Sequence, residues 1–297
     1  MLRWWHAGVL VAALGALGVL WGAAIEPEII RVTRLQVALP GARGLEGMRI
    51  VHLSDLHLGR AGMITWASTG NGPSGLTARG ERLVRILRRL EPHLVLVSGD
   101  FLASDEGREA AVRLCRAVSP PCGWVAVLGN SDYMLDHESL EKALLQAGVS
   151  VLHNRSLRVD FGDGSGLWVV GVDDPYQHRD DIPAALKGLP EGAAPVVALV
   201  HSPDAAPELA GRCGLVLAGH THGGQVRLPL VGPVVTKSRY GKRFVAGLYD
   251  LGSTHIYVSR GLGFSGGPPV RMRLNCPPEV VLITLREAVG AEPWVAR

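Results

Sequence analysis

The chain has 297 residues, 47% hydrophobic and 19% charged, so it is long enough for a sizeable core and too apolar for a disordered protein. Its net charge of +3 is small and no basic block dominates, which disfavours nucleic acid as a partner. The four cysteines show no CxxC pair and no zinc-finger spacing, so a disulfide framework is not expected, and one pair stays open only if the domain lies outside the cytoplasm.

The first predicted element is an apolar helix over residues 4–25, which carries no Asp, Glu, Lys or Arg. Its length as a helix is about 33 Å, enough to cross a hydrocarbon core of roughly 30 Å. Trp4, Trp5 and Trp21 lie near its ends, where interfacial aromatic residues belong. A signal peptide cleaved near Gly22 is the alternative. We therefore expect residues 1–25 to be a transmembrane anchor or an uncleaved signal in the inner (cytoplasmic) membrane, and the side that the rest of the chain faces stays open.

The remainder predicts one domain behind a tether. Residues 26–47 are expected to form an extended tether, 48–287 the domain and 288–297 a C-terminal tail. Short apolar runs alternate with amphipathic helical patterns over the first half of the domain, and two Gly-centred hairpins and a last strand, "EVVLITL", follow. This mixture predicts an α/β (α+β) fold: a mixed two-sheet β-sandwich flanked by helices.

Five apolar runs each end in a residue that can bind a metal. The fragments are "IVHLSDLH", "LVLVSGD", "VAVLGN", "VALVHS" and "LVLAGHTH". Ligand sites gather beyond the carboxyl ends of strands in α/β sheets, so we expect these side chains to meet around one point. Asp55 and His57 are two residues apart, and in an extended segment their side chains point the same way. The expected ligands are Asp55, His57, Asp100, Asn130, His201, His220 and His222.

Seven ligands of this type exceed what one metal ion needs. A catalytic zinc usually takes three protein ligands and water, whereas two cations that share a carboxylate use seven. Nitrogen and oxygen donors without thiolate suit Mn, Fe, Zn or Mg. The sequence therefore predicts a site for two divalent metal ions, with Mn favoured.

The order Asp-x-His, Gly-Asp, Gly-Asn, His, Gly-His-x-His resembles the calcineurin-like metallophosphoesterases over about residues 48–287. The resemblance implies that Asp55, His57 and His222 hold one metal, that Asp100 bridges, and that Asn130, His201 and His220 hold the other. It also implies hydrolysis of a phosphoric ester or diphosphate bond by metal-activated water. The expected catalytic residues are Asp100, Asn130, Ser131 and His220.

Further fragments, "SDLHLG", "GHTHGGQ" and "SRGLG", are similar to a membrane-associated bacterial branch of that family. That branch includes phosphodiesterases and enzymes that cleave the lipid A precursor UDP-diacylglucosamine. The resemblance implies a phosphorylated small-molecule or lipid substrate, with UDP-diacylglucosamine as one candidate. The loop at Met63, Ile64 and Trp66 is expected either to pack in the core or to grip acyl chains.

Ser131 departs from the family pattern, which usually has His after Gly-Asn. A serine hydroxyl is a very poor general acid, and general acid catalysis is typically worth about 100- to 10,000-fold. Its loss matters least when the leaving group is a weak base such as a phosphate. The neighbours Asp132, Tyr133 and His137 are possible substitutes. Two readings remain beside the favoured one: a general phosphodiesterase or phosphatase, and a catalytically weak metal-binding protein.

Overall fold

The apolar N-terminal segment forms a helix that stands outside the folded body. The computed structural model describes residues 4–61, 64–65, 70–162, 164–266, 271–288 and 295–296. Helix α1, Trp4–Leu20, continues through a π-helical turn, Trp21–Ile25, and a 3-10 turn, Glu26–Glu28. The span Gly8–Glu28 has a mean hydropathy of 2.2 and only 6% of it is buried, so it is not a core helix. By length and composition it can cross a membrane, although a signal sequence would pass the same test.

The body contains two large sheets. In spatial order the first sheet has the strands β17 (Val295–Ala296), β1 (Arg31–Leu39), β16 (Glu279–Glu287), β2 (Arg49–Leu53), β5 (Leu94–Val97), β6 (Trp124–Ala126) and β7 (Val149–Val151). Strands β2, β5, β6 and β7 run parallel, while β16 is antiparallel to β2. In spatial order the second sheet has β14 (Gly247–Leu251), β15 (Thr254–Val258), β11 (Leu215–Ala218), β10 (Val196–Val200), β9 (Gly166–Val172) and β8 (Arg155–Asp160).

The second sheet is parallel at its centre and antiparallel at both edges. Strands β9, β10, β11 and β15 are parallel neighbours. The two antiparallel pairs, β8 with β9 and β14 with β15, are the hairpins that the sequence predicts. Two small hairpins lie outside the sheets, β3 (Arg60–Ala61) with β4 (Ile64–Thr65) and β12 (Arg227–Leu228) with β13 (Gly232–Pro233).

Apolar side chains of the two sheets meet in the middle of the sandwich. Ile50 and Leu94 of the first sheet share one buried cluster with Leu199 and Leu217 of the second. Burial of each such side chain stabilises the fold by about 1.5–3 kcal/mol. The next residue along β2, Val51, points to the other face and packs in the cluster that holds Leu83 and Leu87. This alternation places one core between the sheets and one on each outer face.

Helices cover both outer faces. They are α2 (Ala78–Leu90), α3 (Arg108–Ala117), α4 (Asn130–Tyr133), α5 (His137–Gln146), α6 (Ile182–Lys187) and α7 (Ala206–Leu209). Helices α2, α3 and α5 bury apolar side chains on the first sheet, and α6 and α7 do so on the second. The two-sheet sandwich with flanking helices that the sequence predicts is therefore confirmed.

The structure corrects the expectation for residues 26–47. Strand β1 lies inside the predicted tether and pairs in parallel with β16 along its full length. Leu35, Val37 and Leu39 are buried while Gln36 and Ala38 between them are only partly buried, a period of two that marks a half-buried strand and not a tether. Strand β16 is also not the last strand, because β17 follows it and pairs with β1. The domain boundaries themselves remain predictions.

Candidate metal centre

The seven side chains expected to bind metal follow five strands of the two sheets. They are Asp55 and His57 after β2, Asp100 after β5, Asn130 after β6, His201 after β10, and His220 and His222 after β11. All seven are buried. The contacts described below bring them together around one point, as expected from the rule that ligand sites lie beyond the carboxyl ends of strands.

Most of these residues have a left-handed backbone. The φ angles are 52° at Asp55, 43° at His57, 55° at Asp100, 68° at His220 and 51° at His222. Non-glycine residues rarely adopt such angles, and strained residues of this type cluster at functional sites. The expectation that Asp55 and His57 lie in an extended segment is therefore wrong. Their loop instead binds the loop after β5, because the Asp55 and His57 N–H groups donate to the Gly99 and Asp100 carbonyls.

Three glycines act at this site in two different ways. Gly99 has a φ of 88°, so it allows the chain to turn sharply where β5 ends. Gly129 and Gly219 are needed for space. A Cβ at Gly129 would collide with the Asp100 carboxylate, and a Cβ at Gly219 would collide with Ser54 and Asp55. The ligand loops can pack this closely only without side chains there.

One group of ligand atoms comes from Asp55, His57, Asp100 and His222. His222 Nε2 lies 3.1 Å from both His57 Nε2 and Asp55 Oδ1. His57 Nε2 lies 3.4 Å from Asp100 Oδ2. The ligand atoms of the four residues lie within 4.8 Å of one another. Imidazole nitrogens and carboxylate oxygens that converge in this way form a suitable cage for a cation.

A second group adjoins it. His201 Nε2 lies 3.1 Å from Asn130 Oδ1 and 3.2 Å from His220 Nδ1. It also lies 3.4 Å from Asp100 Oδ1. The two oxygens of the Asp100 carboxylate therefore face different groups, Oδ2 towards His57 and Oδ1 towards His201.

Backbone carbonyls fix the ring orientation of two histidines. His201 Nδ1–H donates to the Ser98 carbonyl over 2.8 Å, and His220 Nε2–H donates to the Lys237 carbonyl over 3.0 Å. A neutral imidazole has one N–H group and one lone pair. These bonds leave His201 Nε2 and His220 Nδ1 to face the site, the arrangement found around metal-binding histidines.

The charges and protonation states of the site favour a bound cation. Burial lowers the pKa of His57 to about 4 and that of His220 to about 3, so both are neutral at pH 7. Burial opposes protonation of His201 as well, but Asp100 and Asp55 raise its pKa to about 9, so its ring holds a proton that a cation can replace. Asp55 Oδ1 is fully buried, with His222 Nε2 3.1 Å away. A buried carboxylate is costly unless positive charge compensates it, so the donor set fits divalent metal.

A chain of hydroxyl groups supports Asp55 from behind. Ser54 Oγ donates to Asp55 Oδ2 over 2.6 Å, and Ser98 Oγ donates to Ser54 Oγ over 2.8 Å. His52 Nε2 lies 2.9 Å from Ser98 Oγ, and burial lowers the pKa of His52 to about 4. His52 is thus a neutral core histidine that reaches the site only through two serines.

Ser131 contacts Asp100 with both its backbone and its side chain. Its N–H donates to Asp100 Oδ1 over 2.8 Å and its hydroxyl to Oδ2 over 2.9 Å. Two of the three neighbours considered as substitute acids have other partners. The Asp132 carboxylate accepts from the Gly129 and Leu102 N–H groups, and the Tyr133 hydroxyl donates to Asp173.

A cavity of about 260 Å³ opens beside the ligands, lined by His57, Asn130, Ser131, Met134, Phe264 and Lys237 among others. Sequence reasoning missed Lys237. Its carbonyl orients His220. Burial is the main cause that lowers the pKa values of His57, His220 and His222, and the positive charge of Lys237 lowers them further. Only the basic run "KSRYGKR" signals it in the sequence.

Sequence reasoning also missed Arg273, a fully buried arginine behind His222. Its guanidinium donates to the carbonyls of Gly263, Arg260 and Cys276, and one nitrogen lies 3.5 Å from His222 Nδ1. It supports the loops that carry His222, and no sequence pattern marks it. Met63 and Trp66 and the side chain of Ile64, which were expected either in the core or against acyl chains, lie outside the described residues.

Comparison with known proteins agrees with this geometry. The model of one protein family, described as calcineurin-like phosphoesterase, matches residues 48–224. The uncharacterized metallophosphoesterase YkuE of Bacillus subtilis (strain 168) is 31% identical over 288 residues, which cover 94% of this chain and 93% of that protein. Phosphodiesterase YaeI of Escherichia coli (strain K12) is 33% identical over 202 residues, which cover 66% of this chain and 71% of that protein.

A vertebrate protein is similar over almost the whole chain. A Danio rerio protein, named transmembrane protein with metallophosphoesterase domain, is 30% identical over 296 residues. The match covers 94% of this chain and 62% of that protein, so this chain spans less than two thirds of that relative's length.

Proposed function

The chain belongs to the calcineurin-like phosphoesterase family and is a metal-dependent hydrolase of phosphoester bonds, and we propose that it holds two divalent cations and cleaves phosphodiester or pyrophosphate bonds. One observation supports the presence of two metal ions. The Asp100 carboxylate lies between two groups of ligand atoms, with one oxygen 3.4 Å from His57 and the other 3.4 Å from His201. A carboxylate in that position suits a bridge between two ions.

The proposed ligands divide at Asp100. Asp55, His57 and His222 would hold one ion and Asn130, His201 and His220 the other. The nitrogen and oxygen donors suit Mn, Fe, Zn or Mg, and we favour Mn. The neutral His57 and His220 can bind an ion without first losing a proton.

When bound, divalent cations lower the pKa of water towards about 7 and neutralise charge on phosphate oxygens. The chain's own residues hold the reactants. Ser131 fixes both oxygens of Asp100, and Lys237 brings a positive charge to the cavity. In hydrolysis the water oxygen bonds to phosphorus and the bond from phosphorus to the leaving oxygen breaks.

The leaving oxygen receives little acid help. Apart from the proposed ligand His57, the described residues that line the 260 Å³ cavity and can titrate are Lys237 and Arg271. Ser131 uses its proton on Asp100. The leaving oxygen must therefore depart as a weak base, or take its proton from water or Lys237. This supports a pyrophosphate bond or an activated diester over a simple alkyl ester.

A lipid-linked nucleotide such as UDP-diacylglucosamine has both a weakly basic leaving group and acyl chains that hold it in a membrane. Its pyrophosphate bond breaks to release a phosphate, which is a weak base. Its acyl chains lie in a membrane, and the apolar helix Gly8–Glu28 and the transmembrane relative favour a single-pass membrane protein. We place the protein in the inner membrane.

A general phosphodiesterase is the second candidate. The printed name of the E. coli relative, phosphodiesterase, favours it. A soluble diester would need neither the apolar helix nor a surface that binds lipid. A catalytically weak metal-binding protein is the third, and it rests on Ser131 in place of the family's histidine.

Hydrolysis of bis-p-nitrophenyl phosphate by the full-length protein in detergent with Mn²⁺ tests the proposal. We expect turnover that Asp100→Ala abolishes, and about two bound Mn²⁺ per chain in the wild type by elemental analysis. Wild-type protein that binds Mn²⁺ but shows no turnover would support the metal-binding protein, and one ion per chain in active protein would contradict the dinuclear site. A comparison of UDP-diacylglucosamine with the aryl diester then separates the two enzymatic candidates.

A further inference from the structure

The small hairpin of β12 and β13 exposes an unusual amount of apolar surface. Five aliphatic side chains within residues 228–235 are exposed by 42–109%: Leu228, Leu230, Val231, Val234 and Val235. The rest of this stretch is Pro229, Gly232 and Pro233, so it carries no charge. Single exposed aliphatic residues are ordinary, but a contiguous exposed patch marks an interaction site.

The hairpin is joined to the end of the apolar helix by one residue, Asn275. The Asn275 N–H donates to the Glu26 carboxylate over 2.9 Å, and its side chain donates to the Arg227 carbonyl over 2.9 Å. Glu26 lies near the end of the apolar helix Gly8–Glu28, and its carboxylate also accepts from Trp21 Nε1. Arg227 begins β12. The hairpin and the point where the helix enters the folded body therefore lie on the same side of the protein.

A second contact pair strengthens this connection. The Arg273 N–H donates to the Gly22 carbonyl over 2.8 Å, and the Arg227 N–H donates to the Leu274 carbonyl over 2.9 Å. Residues 273–275 thus run between the helix end and the hairpin. If the helix crosses a bilayer, this connection holds the hairpin at the bilayer surface.

Four exposed cations follow the aliphatic stretch. They are Lys237, Arg239, Lys242 and Arg243, with no acidic residue among them in residues 236–243, and Arg239 pairs with Asp204 over 3.6 Å. Lys242 Nζ donates to the Val231 carbonyl over 2.9 Å, so this charge lies directly against the hairpin. Each cation near an anionic leaflet contributes about 1 kcal/mol to binding. Aliphatic residues with a basic border are typical of elements that lie in a membrane interface.

A cavity of about 340 Å³ lies between the hairpin and the metal centre. Val226, Val234 and Val235 line it on the hairpin side, and His222 and Lys237 line it towards the proposed ligands. It connects an apolar surface to the reaction site. The aliphatic lining of this cavity suits an acyl or glycerol portion of a substrate better than a free nucleotide.

We propose that residues 228–235 insert into the interface of an anionic lipid bilayer, so that the metal centre acts on a phosphoester held in the membrane. This proposal rests on the proposed membrane anchoring and names the surface that presents the substrate. Lys242 and Arg243 bind the headgroups, while Lys237 lines the cavity towards the metal centre. The 340 Å³ cavity opens towards the lipid, so the substrate does not have to leave the bilayer.

Depth-dependent quenching in proteoliposomes tests the insertion. Full-length Leu230→Cys, labelled with an NBD fluorophore, is reconstituted into phosphatidylcholine–phosphatidylglycerol vesicles that contain 5-doxyl or 12-doxyl lipid. The control is Leu145→Cys. Leu145 is a leucine of α5 with 52% of its surface exposed. Helix α5 lies beside β7, at the edge of the first sheet opposite β17 and β1. Wild-type protein treated with the same label gives the background from Cys122, the one native cysteine that is not buried.

We expect blue-shifted emission from residue 230 and stronger quenching by 5-doxyl than by 12-doxyl lipid, with little quenching at residue 145. Equal quenching at the two positions would overturn the proposal. This measurement does not use activity, so a failure of the proposed enzymatic function would not affect its result.

A matched pair of substrates tests the consequence for turnover. The p-nitrophenyl phosphodiester of dioleoylglycerol in vesicles and bis-p-nitrophenyl phosphate in solution release the same product. We expect Leu230→Asp with Val231→Asp to lower vesicle turnover by about tenfold while turnover of the soluble diester stays within twofold. Unchanged vesicle turnover, or equal loss on both substrates, contradicts the proposal.

Discussion

The Ser131 hydroxyl donates a hydrogen bond to Asp100 Oδ2 over 2.9 Å, while the Ser131 N–H donates to Oδ1 over 2.8 Å. The residue that replaces the family's usual histidine therefore holds the central carboxylate and does not offer its proton to a leaving group. Hydrogen bonds to a charged group contribute roughly 1.5–3 kcal/mol each. The serine therefore positions Asp100, although it does not act as a general acid.

We predict that Ser131→His changes which leaving groups the enzyme tolerates. Histidine can protonate the leaving oxygen, and such help is typically worth about 100- to 10,000-fold. Relative to Ser131→Ala, which lacks the same hydroxyl, the rate should be at least about tenfold higher for an alkyl phosphodiester and about equal for bis-p-nitrophenyl phosphate, whose leaving group needs no proton. Measurement of kcat/KM across leaving groups of different pKa would show a flatter dependence than in the wild type.

Ser131→Ala is the control for this change. It removes the hydroxyl hydrogen bond to Asp100 without adding an acid, so the rate should fall to a similar degree for every leaving group. An Ala variant that alters the leaving-group dependence as the His variant does would contradict the assignment of Ser131 as a residue that positions Asp100.

We predict that Lys237→Met affects a dianionic substrate more than a monoanionic one. The Lys237 side chain borders the 260 Å³ cavity, and its positive charge acts on three of the proposed ligands. Its attraction grows with substrate charge, so kcat/KM should fall by about tenfold for p-nitrophenyl phosphate and about threefold for the diester. Lys237→Arg should keep most of both activities, and equal loss for the two substrates would count against a charge effect.

The motifs predicted the centre because each one ends a strand. A short apolar run followed by Gly-Asp, Gly-Asn or Gly-His is a local signal, and the carboxyl ends of neighbouring parallel strands meet at one edge of a sheet. That rule brings Asp100 and Asn130 together after β5 and β6 without knowledge of any contact. The rule does not give the backbone conformation, which is why the left-handed φ at Asp55 and His57 was not foreseen.

Residues without a local signal were missed. Arg273 is 51 positions from His222, and its place beside that ring depends on tertiary contacts such as those with the Gly263 and Cys276 carbonyls. Strand β1 was missed for a related reason. Its alternation is visible at Leu35, Val37 and Leu39, but its partner β16 lies about 250 residues away, and no local pattern shows that pairing.

The pairing of β1 with β16 leads to a prediction about acid stability. Glu279, at the start of β16, is fully buried and accepts hydrogen bonds from Arg260 and Tyr257, each over 2.7 Å, and from Thr33 of β1. Burial alone would raise the pKa of Glu279, but Arg260 and these hydrogen bonds hold it below its ordinary value of 4.5. Removal of one partner from a buried pair costs roughly 3–5 kcal/mol.

We therefore expect Glu279→Gln to lower the thermal unfolding midpoint in detergent at pH 7 by about 6 °C or more. Because the pKa is lower in the folded state, the stabilisation is complete above pH 4.5 and is lost as the pH falls through the lowered value. The difference between wild type and variant should thus be constant from pH 8 to about pH 5.5 and shrink below pH 4.5. Glu138→Gln, at an exposed position on α5, should show little difference at any pH. A Glu279→Gln deficit that persists unchanged at acidic pH would mean that packing, and not the charge on Glu279, holds β1 against the sheet.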